Sequence, residues 1–327
     1  MEVTAEIKRE MFWTMLLARR LDERAWMLHR QGKITFHVSG IGHEAAQVGA
    51  AFAIRRGYDW VVPYYRDLAL MLALGYTPLD FFLGLMGRRG EPGSGARQMP
   101  NHWSMRSMNV VSLSSPVSTQ TLHAVGIAMG IKMRKEDKVV LTTVGEGGTS
   151  QGEWYEAVNW AAIHRLPVVF NVQNNQYAIS EPVSLQMAVN SVAEKARGLG
   201  LPGVSVDGMD AFACLTAFQK AVEDARAGHG PVLIETCVYR ITPHSSDDDD
   251  RTYRSREEVE AHKKDDGLLR TRNTLEREGV LTPQAVDAME ERARQIIDEA
   301  AAQAEATPYP PGEEGAFPVY AEEVRHA

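Results

Sequence analysis

The stretch that most constrains the fold is residues 139–180, VVLTTVGEGGTSQGEWYEAVNWAAIHRLPVVFNVQNNQYAIS. It opens with an apolar, β-branched run over 139–144, which predicts a buried strand. Gly145, Glu146, Gly147 and Gly148 break that run, and Thr149 or Ser150 is then placed to cap a helix. Trp154, Val158, Ala161 and Ala162 recur at helical spacing, so a helix is expected over 151–164. Leu166 and Pro167 end it, and a second strand is expected over 168–172, with Asn174 and Asn175 at its carboxyl end. A strand–helix–strand unit demands a parallel sheet and a right-handed crossover. Glu146 and Asn175 are 29 positions apart, yet both leave the carboxyl ends of parallel strands. Ligands bind at that edge in open α/β sheets.

One carboxylate, one amide oxygen and nearby backbone carbonyls make a hard oxygen set, suited to a magnesium or calcium ion that also holds phosphate. The glycines let backbone approach a diphosphate, and a helix amino terminus offers it unpaired N–H groups. A Gly-rich turn alone most often only joins a strand to a helix.

The rest of the chain supplies the surroundings. Residues 4–31 read as a helix with Ile7, Met11, Met15, Leu16, Leu21 and Trp26 on its apolar side. A second helix begins near Gly42, and 59–63 reads as a short strand ending in Tyr64, Tyr65, Arg66 and Asp67 before an apolar helix over 68–74. An arginine fork beside a tyrosine hydroxyl at a strand end suits a diphosphate. Residues 87–118 are rich in Gly, Pro and Ser without periodicity, and a connection that long is usually functional or disordered. They lead into a small-residue helix over 121–133, where Gly126 and Gly130 allow close approach of another backbone. A loop over 182–190 and a helix over 192–197 come next, then a strand ending at Asp207 and Gly208. A helix over 211–226 capped by Asp210 and a strand over 231–239 follow. The loop 241–256 carries four consecutive aspartates, Asp247 to Asp250. An oxygen cage needs ligands alternating with turn residues, so this run reads as a solvated loop. Charged helices, including 283–304, and a Pro-rich tail close the chain.

At 327 residues, 44% hydrophobic and 24% charged, the composition is that of an ordinary soluble globular protein. A net charge of −8 argues against a general nucleic-acid surface. Cys214 and Cys237 sit in apolar contexts and are expected to be buried, reduced thiols. The amino terminus MEVTAEIKREM shows no signal peptide. No run approaches the ~18 apolar residues of a membrane helix, so a cytoplasmic protein is expected.

Eight blocks, GHEAAQVG, YYRD, GARQMPNH, SSPVSTQ, GEGGTSQGEW, NNQYAIS, VDGMD and YRITPHSSDDDDRTYR, occur in one order along almost the whole chain. In that order the chain resembles the alpha subunit of the decarboxylating component of 2-oxo acid dehydrogenase complexes. Within that family it is most similar to the branched-chain 2-oxo acid enzymes, with pyruvate and acetoin enzymes close by. The usual thiamine diphosphate motif has Asp where this chain has Glu146; the charge is kept and the arm is one methylene longer.

The resemblance implies an α/β thiamine-diphosphate-binding fold, a parallel sheet flanked by helices with a helical C-terminal extension. It implies a single diphosphate-type domain over 1–327, with a helical arm at about 1–40 and a helical region at about 255–327. Magnesium would be held by the side chains of Glu146 and Asn175 and the carbonyl of Tyr177. Tyr65 and Arg66 would hold the diphosphate beside Gly147 and Gly148, and Ser115 and Val117 would lie near the aminopyrimidine or thiazolium. Gln173 stands where the family often has a diphosphate-binding arginine. Ser114, Pro116, Thr119 and Gln120 match a potassium site of some relatives. His244 matches the active-site histidine and Arg240 its phosphate-side neighbour. The glutamate that activates thiamine lies on a separate beta chain in this family. The chain is therefore expected to work with a beta subunit, two alpha and two beta chains together. It would decarboxylate a small 2-oxo acid and pass the acyl group to a lipoyl-bearing acyltransferase component. A non-catalytic nucleotide- or metal-binding regulatory protein is the rival of a different class. It lacks both a ribose-binding acid at the right distance and a G-x-x-x-x-G-K-[ST] loop.

Overall fold

The alternation of apolar residues along the strands sends successive side chains to opposite faces. Leu141, Val169 and Ile234 enter one core, while Val140, Val168, Phe170 and Leu233 enter another. Both cores exist because helices cover both faces of one sheet. The computed structural model describes residues 3–316. The sheet has five strands: β1 (Trp60–Val62), β2 (Val140–Gly145), β3 (Val168–Asn174), β6 (Gly203–Asp207) and β7 (Val232–Cys237), in the order β1-β2-β3-β7-β6. Every pairing in it is parallel. Buried on both faces, β2 and β3 read as continuous β-branched runs for that reason. A two-stranded antiparallel hairpin, β4 (Tyr177–Ala178) with β5 (Glu181–Pro182), hangs off the end of β3.

The first core is walled by α1 (Ala5–Arg30), α2 (Glu44–Ala53), α3 (Leu68–Ala73), α4 (Pro78–Leu85) and α9 (Ala211–Arg226). The second is walled by α5 (Thr119–Arg134), α6 (Gly152–Ile163) and α8 (Val192–Gly198), with a single turn, α7 (Val183–Gln186), at its margin. Two further helices, α10 (Arg256–Lys263) and α11 (Gly267–Arg277), lead to α12 (Pro283–Ala306), which lies back against α1 and α4. Among the described residues no helix is long and apolar enough to cross a membrane.

The register sets the site. Gly145 pairs with Gln173 and Asn174 with Cys237, so three strands end level and release Glu146, Asn175 and Arg240 at one edge.

Several local expectations need correction. Neither Thr149 nor Ser150 caps α6: residues 146–150 form a 3₁₀ turn, Gln151 is the N-cap, and the Thr149 hydroxyl donates to the Glu146 carbonyl at 2.7 Å. The loop over 182–190 hides α7 and the second arm of the hairpin. The helix α4, which starts on Thr77-Pro78-Leu79-Asp80, a capping box with proline in the first turn, is an addition to the expected elements. Cys214 is buried, but Cys237 is exposed at the end of β7. Gly126 and Gly130 have no other backbone of this chain against them: a Cβ at either would meet nothing within 4 Å beyond the backbone of its own helix. The expected carboxyl-terminal region and Pro-rich tail run on beyond residue 316, outside the described residues.

Candidate active site

A cleft of about 190 Å3 opens at the carboxyl edge of β1, β2 and β3. Tyr65, Arg66, Val117, Glu146, Gly147, Gly148, Asn175, Tyr177 and His244 all line it, drawn from five separate segments. Tyr64, Gly145, Gln151, Ala178 and Ile179 complete the wall and were not foreseen, although Tyr64 adjoins a residue that was. Arg240 lies behind the wall, and Ser115 sits exposed at the rim, outside the lining. A larger groove between α1 and α12 is walled by Arg20, Glu23 and Glu290, whose charges already pair with one another.

Glu146 is 1% exposed, and its Oε2 accepts the Asn175 N–H at 3.1 Å. Its other oxygen, Oε1, is buried without a partner. Burial pushes its pKa up, against the pull of that N–H and of Arg240 and Arg66. A buried lone pair without a donor costs free energy unless something fills the place. The Asn175 amide is held by the buried His43, whose Nε2 lies 3.2 Å from Nδ2; Oδ1 accepts the Tyr177 N–H at 3.2 Å. The turn is tight: a Cβ on Gly148 would come within 2.4 Å of Val144 Cγ2, and one on Gly147 within 2.5 Å of Ala178 Cβ. Ser118, Gln176 and Ile179 hold φ of 80°, 77° and 57° around this mouth, where side-chain-bearing residues are strained.

Two buried cations face that oxygen set. Arg66 donates to the Ser39 carbonyl at 2.8 Å, to His244 Nδ1 at 2.9 Å and to the His244 carbonyl at 3.0 Å. Arg240 donates to the Tyr177 carbonyl at 3.3 Å, the Ile179 carbonyl at 2.6 Å and the Tyr253 hydroxyl at 2.8 Å. Neither makes an ion pair among the described residues, and their proximity, with burial, lowers the pKa of Arg240. Two desolvated guanidinium groups on neutral acceptors call for an anion.

His244 is governed by the same field. Burial, Arg66 and Arg240 push its pKa down to about 3, so it is neutral near pH 7. Arg66 can only donate, so Nδ1 accepts and Nε2 carries the proton. Its loop is not a free acidic string. Asp248 accepts the His244 N–H at 2.7 Å and the Tyr253 hydroxyl at 2.5 Å. Arg254 ties Asp250 to the carbonyls of Arg240, Ile241 and Thr242.

Gln173 does not reach the cleft. It is fully buried, and its Nε2 donates to Asp67 at 2.7 Å while Oε1 accepts from Gln47 and Tyr64. Ser114, Pro116 and Gln120 converge, with Ser114 Oγ 2.9 Å from the Pro116 carbonyl and 3.4 Å from Gln120 Oε1. Thr119 turns away to Glu153 at 2.5 Å.

Asp67, under Arg66, is buried without a cation, and burial raises its pKa to about 7 against donors from Thr143, Tyr64 and Gln173. Between its ordinary value near 3.8 and 7 the folded chain then holds a proton that the unfolded chain has lost. Its contribution to stability is full at low pH and declines as pH rises towards 7. Asp67→Asn should remove that decline, roughly 1 kcal/mol per pH unit at its steepest. Urea titrations from pH 4.5 to 7.5 check it; parallel profiles for the two proteins would contradict the assignment.

A parallel sheet that gathers a buried acid, an amide and two arginines without an ion pair among the described residues defines a parallel α/β protein with its polar cleft at the carboxyl edge of the sheet. The particular family is settled by sequence. A profile described as Dehydrogenase E1 component matches residues 13–313, and the chain belongs to that family. It is 48% identical to a 2-oxoisovalerate dehydrogenase subunit alpha of Bacillus subtilis, over 95% of this chain and 94% of the other. It is 39% identical to a 3-methyl-2-oxobutanoate dehydrogenase subunit alpha of Mycobacterium tuberculosis, over 91% and 78%. Identity to a pyruvate dehydrogenase E1 component subunit alpha of Staphylococcus aureus is 37%, over 94% and 79%.

Proposed function

We propose that this chain is the alpha subunit of a branched-chain 2-oxo acid dehydrogenase, and that its cleft binds thiamine diphosphate with magnesium. The observation that carries the reading is the pairing of unsatisfied charges: Glu146 Oε1 has no partner, and Arg66 and Arg240 have no counter-ion. Glu146, Asn175 and the Tyr177 carbonyl would hold the magnesium. Tyr65, Arg66, Arg240 and the Gly147–Gly148 turn would hold the diphosphate. When bound, thiamine supplies the electron sink for decarboxylation. An anion at Arg66 and Arg240 would offset only the part of the His244 shift that those arginines add to burial, the larger cause. His244 would serve the bound groups as a neutral imidazole whose Nε2–H can donate. The convergent oxygens of Ser114, Pro116 and Gln120 fit a potassium ion, with Thr119 needing a rotation away from Glu153 to join them.

A beta subunit is the partner this reading requires, in an assembly of two alpha and two beta chains that acylates a lipoyl-bearing acyltransferase. The surface of α5 and α6 supports it. Met133, Tyr155, Trp160 and Ile163 are 76, 40, 49 and 64% exposed, beside the uncovered Gly126 and Gly130. The single diphosphate-type domain, with its helical arm and C-terminal helices, and a cytoplasmic location belong to the same proposal.

Calorimetry with thiamine diphosphate and magnesium, against NAD and ATP, tests the cofactor assignment. Tight binding of a nucleotide instead would overturn it. Turnover of branched-chain 2-oxo acids against pyruvate by the assembled enzyme then separates the branched-chain from the pyruvate reading.

Cofactor should also protect the His244 loop. Arg251 is 85% exposed at its side chain, whereas Arg254 is 1% exposed and paired with Asp250. Trypsin is therefore expected to nick the assembled complex after Arg251, and thiamine diphosphate with magnesium to slow that cut several-fold. Equal cutting with and without cofactor would refute closure of this loop.

A further inference from the structure

Asn175 holds its amide at the cleft edge between two neighbours. The Tyr177 N–H can only donate, so the amide oxygen, Oδ1, is the end that faces it at 3.2 Å. The amide nitrogen, Nδ2, is thereby turned to His43 Nε2, 3.2 Å away and 132 positions off in sequence. An amide NH2 can only donate, so Nε2 is a bare acceptor and the ring carries its hydrogen on Nδ1. The tautomer of His43 follows from the amide it faces.

For a purely structural role His43 is a poor choice. It is fully buried. Its Nδ1 lies by the Ile41 and Gly40 carbonyls without forming a hydrogen bond to either. A buried donor left unmatched costs free energy. The turn nevertheless fixes the ring from several sides. The His43 N–H donates to the Gly40 carbonyl at 3.0 Å, and the His43 carbonyl accepts the Gln47 N–H at 3.1 Å. Gly42 takes φ of 95° against the end of β7, where a Cβ would come within 2.1 Å of the Tyr239 carbonyl oxygen. Glu44 accepts the Gly42 N–H at 2.8 Å. Arg19 of α1 then ties Glu44, at 2.6 Å, to Asp266, the cap of α11, at 2.7 Å.

We propose that His43 is a positioning residue whose bare Nε2 fixes which end of the Asn175 amide is oxygen, and so keeps that oxygen available to the cation. The proposal rests on the magnesium site given above. Without an acceptor at Nε2, only the Tyr177 N–H sets the amide. A turned amide would offer the cation N–H hydrogens in place of an oxygen.

The test uses the assembled alpha–beta enzyme with His43→Phe, which keeps a flat ring but no acceptor, and His43→Gln, whose amide oxygen can accept. His43→Leu, equally without an acceptor, takes the place of His43→Phe if that variant does not assemble. Calorimetry reads magnesium affinity in the presence of thiamine diphosphate. His43→Phe is expected to weaken it about tenfold, the lower end for groups that orient a metal ligand. His43→Gln should recover most of the loss, whereas a packing role would favour the ring. Unchanged affinity in His43→Phe, or a His43→Gln as weak as His43→Phe, would overturn the proposal. Melting temperatures of the ligand-free wild type, His43→Phe, Asn175→Ala and the double variant read the contact separately. The His43→Phe shift should shrink in the Asn175→Ala background, and an identical shift in both backgrounds would disprove the contact. If the wild type binds no magnesium with thiamine diphosphate, that failure counts against the proposed function, and the melting temperatures alone decide the His43–Asn175 contact.

Discussion

Glu146→Ala should abolish magnesium-dependent thiamine diphosphate binding while leaving the circular dichroism of the chain unchanged. The two halves have separate causes. The carboxylate is buried, and burial raises its pKa, so removing it relieves a desolvation cost and leaves only the Asn175 N–H without its acceptor. Binding has no such compensation, because Oε1 is the unpartnered oxygen the site offers a cation. Changes in the groups behind a metal ligand already weaken binding roughly 10–100-fold, and loss of the ligand itself should exceed about 100-fold. Glu146→Gln sharpens the comparison, since it keeps the acceptor for Asn175 and removes only the charge. Calorimetry of the wild-type and both variants gives the result. Unaltered affinity in Glu146→Ala would end the assignment of this edge as a cation site.

The isolated chain should release no carbon dioxide from any 2-oxo acid, and co-purification with its beta chain should restore turnover. The cleft wall explains the expectation. It contains one carboxylate, Glu146, which the proposed cation would occupy. His244 is held neutral by burial, with Arg66 and Arg240 adding to it, so no further acid stands in the wall to activate an aminopyrimidine. A carbon dioxide release assay over several 2-oxo acids, with an artificial electron acceptor, measures this. Steady turnover by the purified single chain would show that it carries its own activating acid.

The architecture was legible because β2, the glycine turn and β3 are local and chemically explicit. Continuous β-branched runs mean strands buried on both faces, and that alone places Glu146 beside Asn175. Tyr65, Arg66, Val117 and Tyr177 followed from motif order and do reach the cleft. Three features escaped. The 3₁₀ turn at 146–150 replaces a capped helix start because the Thr149 hydroxyl finds the Glu146 carbonyl, a choice among neighbours that no periodicity encodes. Gln173 stands at the family's arginine position, and what it does there instead was hidden, because its partners are Asp67 and Gln47, residues 106 and 126 positions away. His43 sat inside the quoted GHEAAQVG block, but its partner Asn175 is 132 positions on, in another block.

The bare face of α5 and α6 has a consequence for the cell. If the beta chain covers this face, as proposed above, a newly made chain with Met133, Trp160 and Ile163 exposed presents a sticky surface until its partner arrives. Surplus copies would then be recognised by chaperones or proteases much as partly unfolded proteins are, and the amount retained would follow supply of the covering chain. Balanced subunit numbers could thus be enforced after synthesis, by turnover of whatever is left over.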